Sequence, residues 1–94
     1  MAAAEVINIV SKSGSKAKFD PPDLVVQQGD VVSWNNKTGR VHELAMVNQD
    51  GTLTPLPIGG PIARHDQSDA FTVTQSLQYR CTRHAGETGT ITMA

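Results

Sequence analysis

Turn-forming residues punctuate this 94-residue chain so closely that no stretch is left for a helix of useful length. They fall at Ser13-Gly14-Ser15, Asp20-Pro21-Pro22, Gln28-Gly29-Asp30, Asn35-Asn36-Lys37, Asp50-Gly51, Gly59-Gly60-Pro61 and across 86–89. Between them lie short runs rich in β-branched residues, which suit a pleated, half-buried surface. Residues 6–10, 24–26, 31–34, 41–47, 70–74, 77–81 and 90–93 each read as a strand. Seven or eight strands at this spacing, with no helical pattern between them, predict an all-β antiparallel sandwich rather than an α/β sheet. The exception is 53–69, where three prolines and two glycines make a long connection. With no internal repeat, low-complexity tract or linker, residues 1–94 read as one domain.

Alternation orients the later strands. Phe71 and Val73 face inward with Thr72 and Thr74 outward, and Leu77, Tyr79 and Cys81 share a face that leaves Gln78 and Arg80 to water. Cys81 thus closes a strand with its sulfur aimed at the core. Trp34 and Phe19 are expected in the centre of the sandwich, as large apolar side chains usually are.

The formal net charge of −1, from eight basic and nine acidic residues along the chain, gives no reason to expect a nucleic-acid partner or a membrane surface. No window approaches the length of a membrane span, and the N-terminus lacks the basic and apolar regions of a signal peptide. The alanines behind Met1 fit either a trimmed export signal, which would place the chain in the periplasm or otherwise outside the cytoplasm, or a cloning remnant. A chain of this size buries only about 60–65% of the surface its unfolded form exposes. Cys81 is the only cysteine, so no intrachain disulfide supplements that modest core. A lone cysteine is buried, reactive or bound to metal.

The segment with chemistry in it is Tyr79-Arg80-Cys81-Thr82-Arg83-His84-Ala85-Gly86-Glu87-Thr88-Gly89. Cys81 and His84 can point into one small volume if the chain turns between them, and a glycine-bearing loop is expected to supply that turn. Thiolate and imidazole form a soft and borderline pair suited to copper or zinc, and a second imidazole would complete a His2Cys set. His42, after Asn35 to Arg40 and beside Val41, is the candidate at one end of the sandwich. By itself Cys-x-x-His is a weak signal, compatible with a buried thiol and an exposed loop histidine.

The rest of the chain strengthens it. Phe19-Asp20-Pro21-Pro22-Asp23-Leu24-Val25-Val26, Gly29-Asp30-Val31-Val32-Ser33-Trp34-Asn35-Asn36, Tyr79-Arg80-Cys81-Thr82-Arg83-His84 and Gly89-Thr90-Ile91-Thr92 resemble, in order and spacing, the cupredoxins of the plastocyanin, amicyanin and pseudoazurin group. The resemblance runs from about Phe19 to the C-terminus. It implies a Greek-key β-sandwich holding one copper ion, cycling between Cu(I) and Cu(II), through His42, Cys81 and His84. The implied task is one-electron transfer with redox partner proteins through a weak, transient interface near His84.

Two positions depart from that pattern. Glu87 stands where short-loop relatives carry the axial methionine, and Met46 and Met93 lie on predicted strands where neither substitutes. A carboxylate is harder than a thioether and favours Cu(II). Glu87 either ligates, as a fourth metal residue, or turns into solvent and leaves an open position. Glu43 follows His42 where the family usually has Asn; it either ties to Thr82 or is a solvated carboxylate. His65 has no motif around it and reads as a surface residue. Ala85, Gly86, Leu53, Pro55, Leu56, Pro57 and Ile58 would form a low-charge apolar docking face if the long connection folds toward the copper end. The rival readings are an open-site copper protein binding or transforming nitric oxide or peroxide, and a metal-handling protein with a four-coordinate zinc site.

Overall fold

The computed structural model describes residues 3–13 and 16–94; the turn expected at Gly14-Ser15 and the residues Met1-Ala2 lie outside them, as do the side chains of Ser13 and Ala85. Nine strands follow in order: β1 (Ala4–Ser13), β2 (Lys16–Asp20), β3 (Asp23–Val26), β4 (Val31–Asn36), β5 (Leu44–Val47), β6 (Leu53–Pro55), β7 (Phe71–Thr72), β8 (Leu77–Cys81) and β9 (His84–Met93). They form two sheets, ordered β2-β1-β4-β7 and β3-β9-β8-β5-β6. Among the described residues there is no helix, and so none long and apolar enough to cross a membrane.

The all-β sandwich is as the sequence predicts, with two refinements. The first is the strand count, because Lys16–Asp20 and Leu53–Pro55 also pair. Lys-Ala-Lys-Phe-Asp alternates exposed and buried positions, with Ala17 and Phe19 inward, although it has no β-branched residue. Pro55 is tolerated because β6 is an edge strand, where no neighbour needs its missing N–H. The second is that the pairing is not wholly antiparallel: β1 runs parallel to β4 and β3 parallel to β9. Chain crossings between the two sheets make both pairings.

Inward residues of both sheets meet in one cluster that includes Ile7, Ile9, Phe19, Val32, Trp34, Val73, Tyr79, Cys81 and Ile91. Tyr79 is its hinge piece, edge-on to Phe19 at 4.8 Å between ring centroids and to Trp34 at 5.2 Å. Such edge-to-face pairs are favourable beyond the area they bury. Burial pushes the Tyr79 phenol up to about 12, with the neighbouring Trp34 indole opposing the shift. Gly89, opposite Tyr79 in the β8–β9 register, leaves room for that ring, since a β-carbon there would run into it.

The β1–β4 and β8–β9 pairings run toward the same end of the sandwich. Asn36 closes β4 there, Cys81 closes β8, and His84 opens β9.

Candidate metal centre

Cys81 and His84 are joined by a two-residue turn, Thr82-Arg83, and face each other as the first register pair of the β8–β9 hairpin. The glycine-bearing loop expected between ligand positions is therefore absent. The turn needs no glycine, and Gly86 and Gly89 lie on β9, which begins six residues earlier than the predicted strand at 90–93. The register jumps from Cys81–His84 to Arg80–Thr88, so 85–87 bulge out of the pairing, and Glu87, three residues beyond His84, closes that bulge. Its side chain is only 6% exposed.

His42 arrives from the other direction. The predicted strand at 41–47 starts only at Leu44, and His42 is held instead by a paired bridge to Ile62, His42 N–H to Ile62 O at 3.1 Å and Ile62 N–H to His42 O at 2.7 Å. Pinned on both sides, its side chain is 2% exposed. His42, Cys81 and Glu87 each offer one donor atom within 4.8 Å of the others. His84 borders the group: its Nδ1 lies 4.0 Å from Cys81 Sγ and 3.4 Å from Glu87 Oε2. His42 Nδ1 lies 3.7 Å from Cys81 Sγ and 3.5 Å from Glu87 Oε1. His84 differs from the rest in being open to solvent, with 42% of its side chain exposed.

The hydrogen bonds behind His42 decide which of its nitrogens faces this volume bare. The Asn36 amide donates to three carbonyls, Arg40 O at 2.7 Å and Ile62 O and Ala63 O at 3.2 Å, so its Oδ1 is an acceptor only. That oxygen takes the Thr38 N–H at 3.0 Å and the Thr38 hydroxyl at 2.7 Å. With its proton so committed, Thr38 Oγ1 accepts from His42 Nε2, 3.0 Å away. His42 Nδ1 is then an unprotonated lone pair aimed at Cys81 and Glu87. Burial disfavours the imidazolium, Arg40 and Arg83 push the same way, and only Glu87 opposes them; the pKa is lowered.

Glu87 is held from the opposite side, its Oε2 accepting the Ala17 N–H of β2 at 3.3 Å. Its Oε1 is buried with no hydrogen-bond partner. A bare imidazole nitrogen, an unpartnered carboxylate oxygen and a sulfur thus face one another in a buried space. With the cysteine as thiolate all three are electron-pair donors, and a cation between them would satisfy them together. Soft sulfur, borderline nitrogen and hard oxygen fit a transition metal such as copper or zinc.

Other residues singled out from the sequence fall as follows. Glu43 is tied to the hairpin: the Thr82 hydroxyl donates to its Oε1 at 3.0 Å and the Thr82 N–H to its carbonyl at 2.8 Å. His65 is exposed, with φ of 58°, and joins no donor group. Met46 and Met93 are half-buried on β5 and β9, away from the group. The apolar docking face is not formed as expected. Leu56 and Ile58 are in the core at 4% and 2% exposed, because the connection folds its apolar side chains inward, leaving Pro55 and Pro57 outside. The residues that sequence reasoning missed are Thr38 and Asn36. The only trace they leave in the sequence is a pair of small polar residues just before His42.

No family model matches the chain. It is 33% identical over 86 residues to amicyanin of Paracoccus denitrificans, covering 88% of this chain and 64% of that protein. Among solved structures it is similar to a purple cupredoxin of Nitrosopumilus maritimus, with a TM-score of 0.77 at 20% identity over 96% of this chain and 99% of that one. It is also similar to the Cu(I) form of an amicyanin variant, with a TM-score of 0.75 at 22% identity over 100% of this chain and 85% of that one. At those identities the structural likeness speaks for the fold. The chain thus has a cupredoxin fold and is similar in sequence to amicyanin, of which it spans 64%, and in it a histidine, a cysteine and Glu87, where the methionine is expected, form a group that could hold a metal.

Proposed function

We propose that the chain is a one-domain copper protein that carries single electrons between redox partners, with His42, Cys81, His84 and Glu87 as the metal-holding residues. The observation that carries this reading is the buried meeting of His42 Nδ1, Cys81 Sγ and the unpartnered Glu87 Oε1. Copper, when bound, would supply the Cu(I)/Cu(II) one-electron couple.

The chain's own residues would do the rest. Cys81, on β8, and His42, clamped by Ile62 and Thr38, come from separate parts of a packed sandwich, which limits rearrangement between oxidation states. His84, exposed at the start of β9, would give electrons a short way out. The turned-in Glu87 supports a fourth donor in preference to an open position that nitric oxide, peroxide or water could take. Its negative charge would favour the oxidised metal and a lower reduction potential than a thioether gives. A zinc-handling role uses the same four side chains and is separated by the test below. An extracytoplasmic location accompanies the proposal, and cell fractionation checks it.

The test is the optical and EPR spectrum of the copper-loaded protein beside Cys81→Ser. The expected result is an intense thiolate-to-copper band in the parent that is lost in a folded Cys81→Ser protein. A visible spectrum unchanged by that substitution overturns the site. A protein that retains zinc against stoichiometric copper and shows no such band supports metal handling instead.

A further inference from the structure

The charges of this nearly neutral chain are sorted along the sandwich. Lys12 and Lys16 flank the β1–β2 turn, Lys37 and Arg40 lie between β4 and His42, and Arg83 is in the turn between Cys81 and His84. All five are exposed at the His84 end. Strand register puts acidic residues at the other end. Glu5 is level with Val32 and Asp30 precedes it at the start of β4; Asp23 is level with Thr90, near the end of β9; Asp50 is in the turn after β5, whose first residue pairs with Cys81.

The cations are also uncancelled locally. Among the described residues no lysine or arginine makes a salt bridge. Of the carboxylates at or bordering this end, Glu87 is buried and Glu43 is bonded to Thr82. Asp20 is exposed farther along β2 in a side groove that it shares with Lys12, Lys18 and Gly86, and Asp66 lies two residues from another exposed cation, Arg64. A groove of about 480 Å³ beside His84 is lined by Lys12, Lys16, Ala17, Gly86 and Glu87, and a smaller one by Lys16 and Arg40 on the His42 side.

The geometry points to this cationic rim around His84 as the docking face for an acidic partner protein, one presenting a carboxylate cluster beside its own redox centre. The inference rests on the electron-transfer reading and says which partner that reading requires. Spread evenly, a net charge of −1 would weakly repel such a partner. Sorted as it is, the molecule presents its positive end, and complementary fields orient an encounter and raise its rate more than they tighten it. That suits a weak, brief complex. A protein is favoured over a nucleic acid because the rim offers no exposed aromatic ring for base stacking, and the net negative charge opposes a long polyanion.

Two experiments test this, one independent of the metal. In the first, the reduced copper protein is oxidised by hexacyanoferrate(III), an anion, and by tris(phenanthroline)cobalt(III), a cation, while ionic strength rises from about 0.01 M to about 0.1 M, shortening the screening length from about 30 Å to about 10 Å. The anion's rate should fall severalfold and the cation's should rise or hold. Lys12→Gln with Lys16→Gln should flatten the anion's dependence and leave the visible spectrum as it was. An anion rate that rises with salt, as the net charge alone demands, overturns the proposal. In the second, the metal-free protein is titrated with a ten-residue oligoglutamate peptide and followed by amide NMR. Shifts should centre on Lys12, Lys16, Lys37, Arg40 and Arg83 and vanish at high salt, whether or not the copper reading stands. Shifts scattered over the molecule, or absent, overturn the docking face. Equal shifts at equal concentration with a heparin fragment overturn its assignment to an acidic protein.

Discussion

Thr38→Val would replace the hydroxyl behind His42 by a methyl group of similar size. His42 Nε2–H would then have no acceptor in a buried place, a loss of about 1–3 kcal/mol for an unsatisfied group. Its tautomer would no longer be dictated by Asn36 and Thr38. We expect a loss of about 10–100-fold in copper affinity, the usual effect of removing a group that orients a metal-bound histidine, together with an altered EPR pattern. Thr38→Ser should restore both, because it keeps the hydroxyl. Metal titration and EPR of the two variants check this. Unchanged affinity and spectrum in Thr38→Val would show that the Ile62 bridge alone holds His42. Cys81 and His84 are readable from the sequence as neighbours because the two residues between them leave room only for a tight turn, and Glu87 is brought to them where the chain bulges after His84. Thr38 and Asn36 are not, because the partners of a small polar residue in a loop depend on where tertiary contacts place it.

At the scale of elements, the β8–β9 hairpin connects the core to the site. Gly89→Ala would put a β-carbon against the Tyr79 ring, which has little freedom to move with Phe19 and Trp34 packed on its edges. Overpacking of this kind costs about 1–3 kcal/mol. Each kcal/mol lowers Tm by about 4–8 °C in a domain of up to about 100 residues, so thermal melting of Gly89→Ala should show a fall of several degrees. A variant that melts with the parent would show that β9 can shift away from the ring. Strands β3 and β4, which carry β-branched residues, and β8, which is marked by its alternation of Leu77, Tyr79 and Cys81 with polar residues, are found at or near their predicted bounds. Those that differ do so for reasons particular to each. Lys16–Asp20 lacks β-branched residues and pairs through its alternation with β1, and Leu53–Pro55 hides an edge strand behind prolines. The 41–47 run is interrupted because His42 bonds to Ile62, twenty residues away, which no local pattern announces.

For the whole molecule, stability against acid depends on a residue far from the site. Asp30 accepts the Ala3 and Gln27 N–H groups at 2.9 Å each, tying the first strand to the turn before β4. These bonds, Ala3 first, hold its carboxyl below the usual range, with only desolvation opposing them. In acid the unfolded chain therefore binds more protons than the folded one. The stabilisation is fully present above the unfolded pKa of about 3.9 and is lost as pH falls through the lower folded value. Asp30→Asn should be less stable than the parent at neutral pH and show a flatter stability curve below about pH 4, as denaturant melts across that range would record. Equal slopes would mean that Asp30 does not drive the acid limb. The reduction potential is also a property of the whole molecule, and it tests most directly the claim that a carboxylate completes a His2Cys copper site here. In a redox titration, Glu87→Met should raise the potential by at least about 59 mV, a tenfold shift of the one-electron equilibrium toward Cu(I), and move the visible spectrum toward the blue-copper pattern. A Glu87→Met protein with the parent's potential and spectrum would contradict the account, since it would mean that the buried carboxylate does not face the metal.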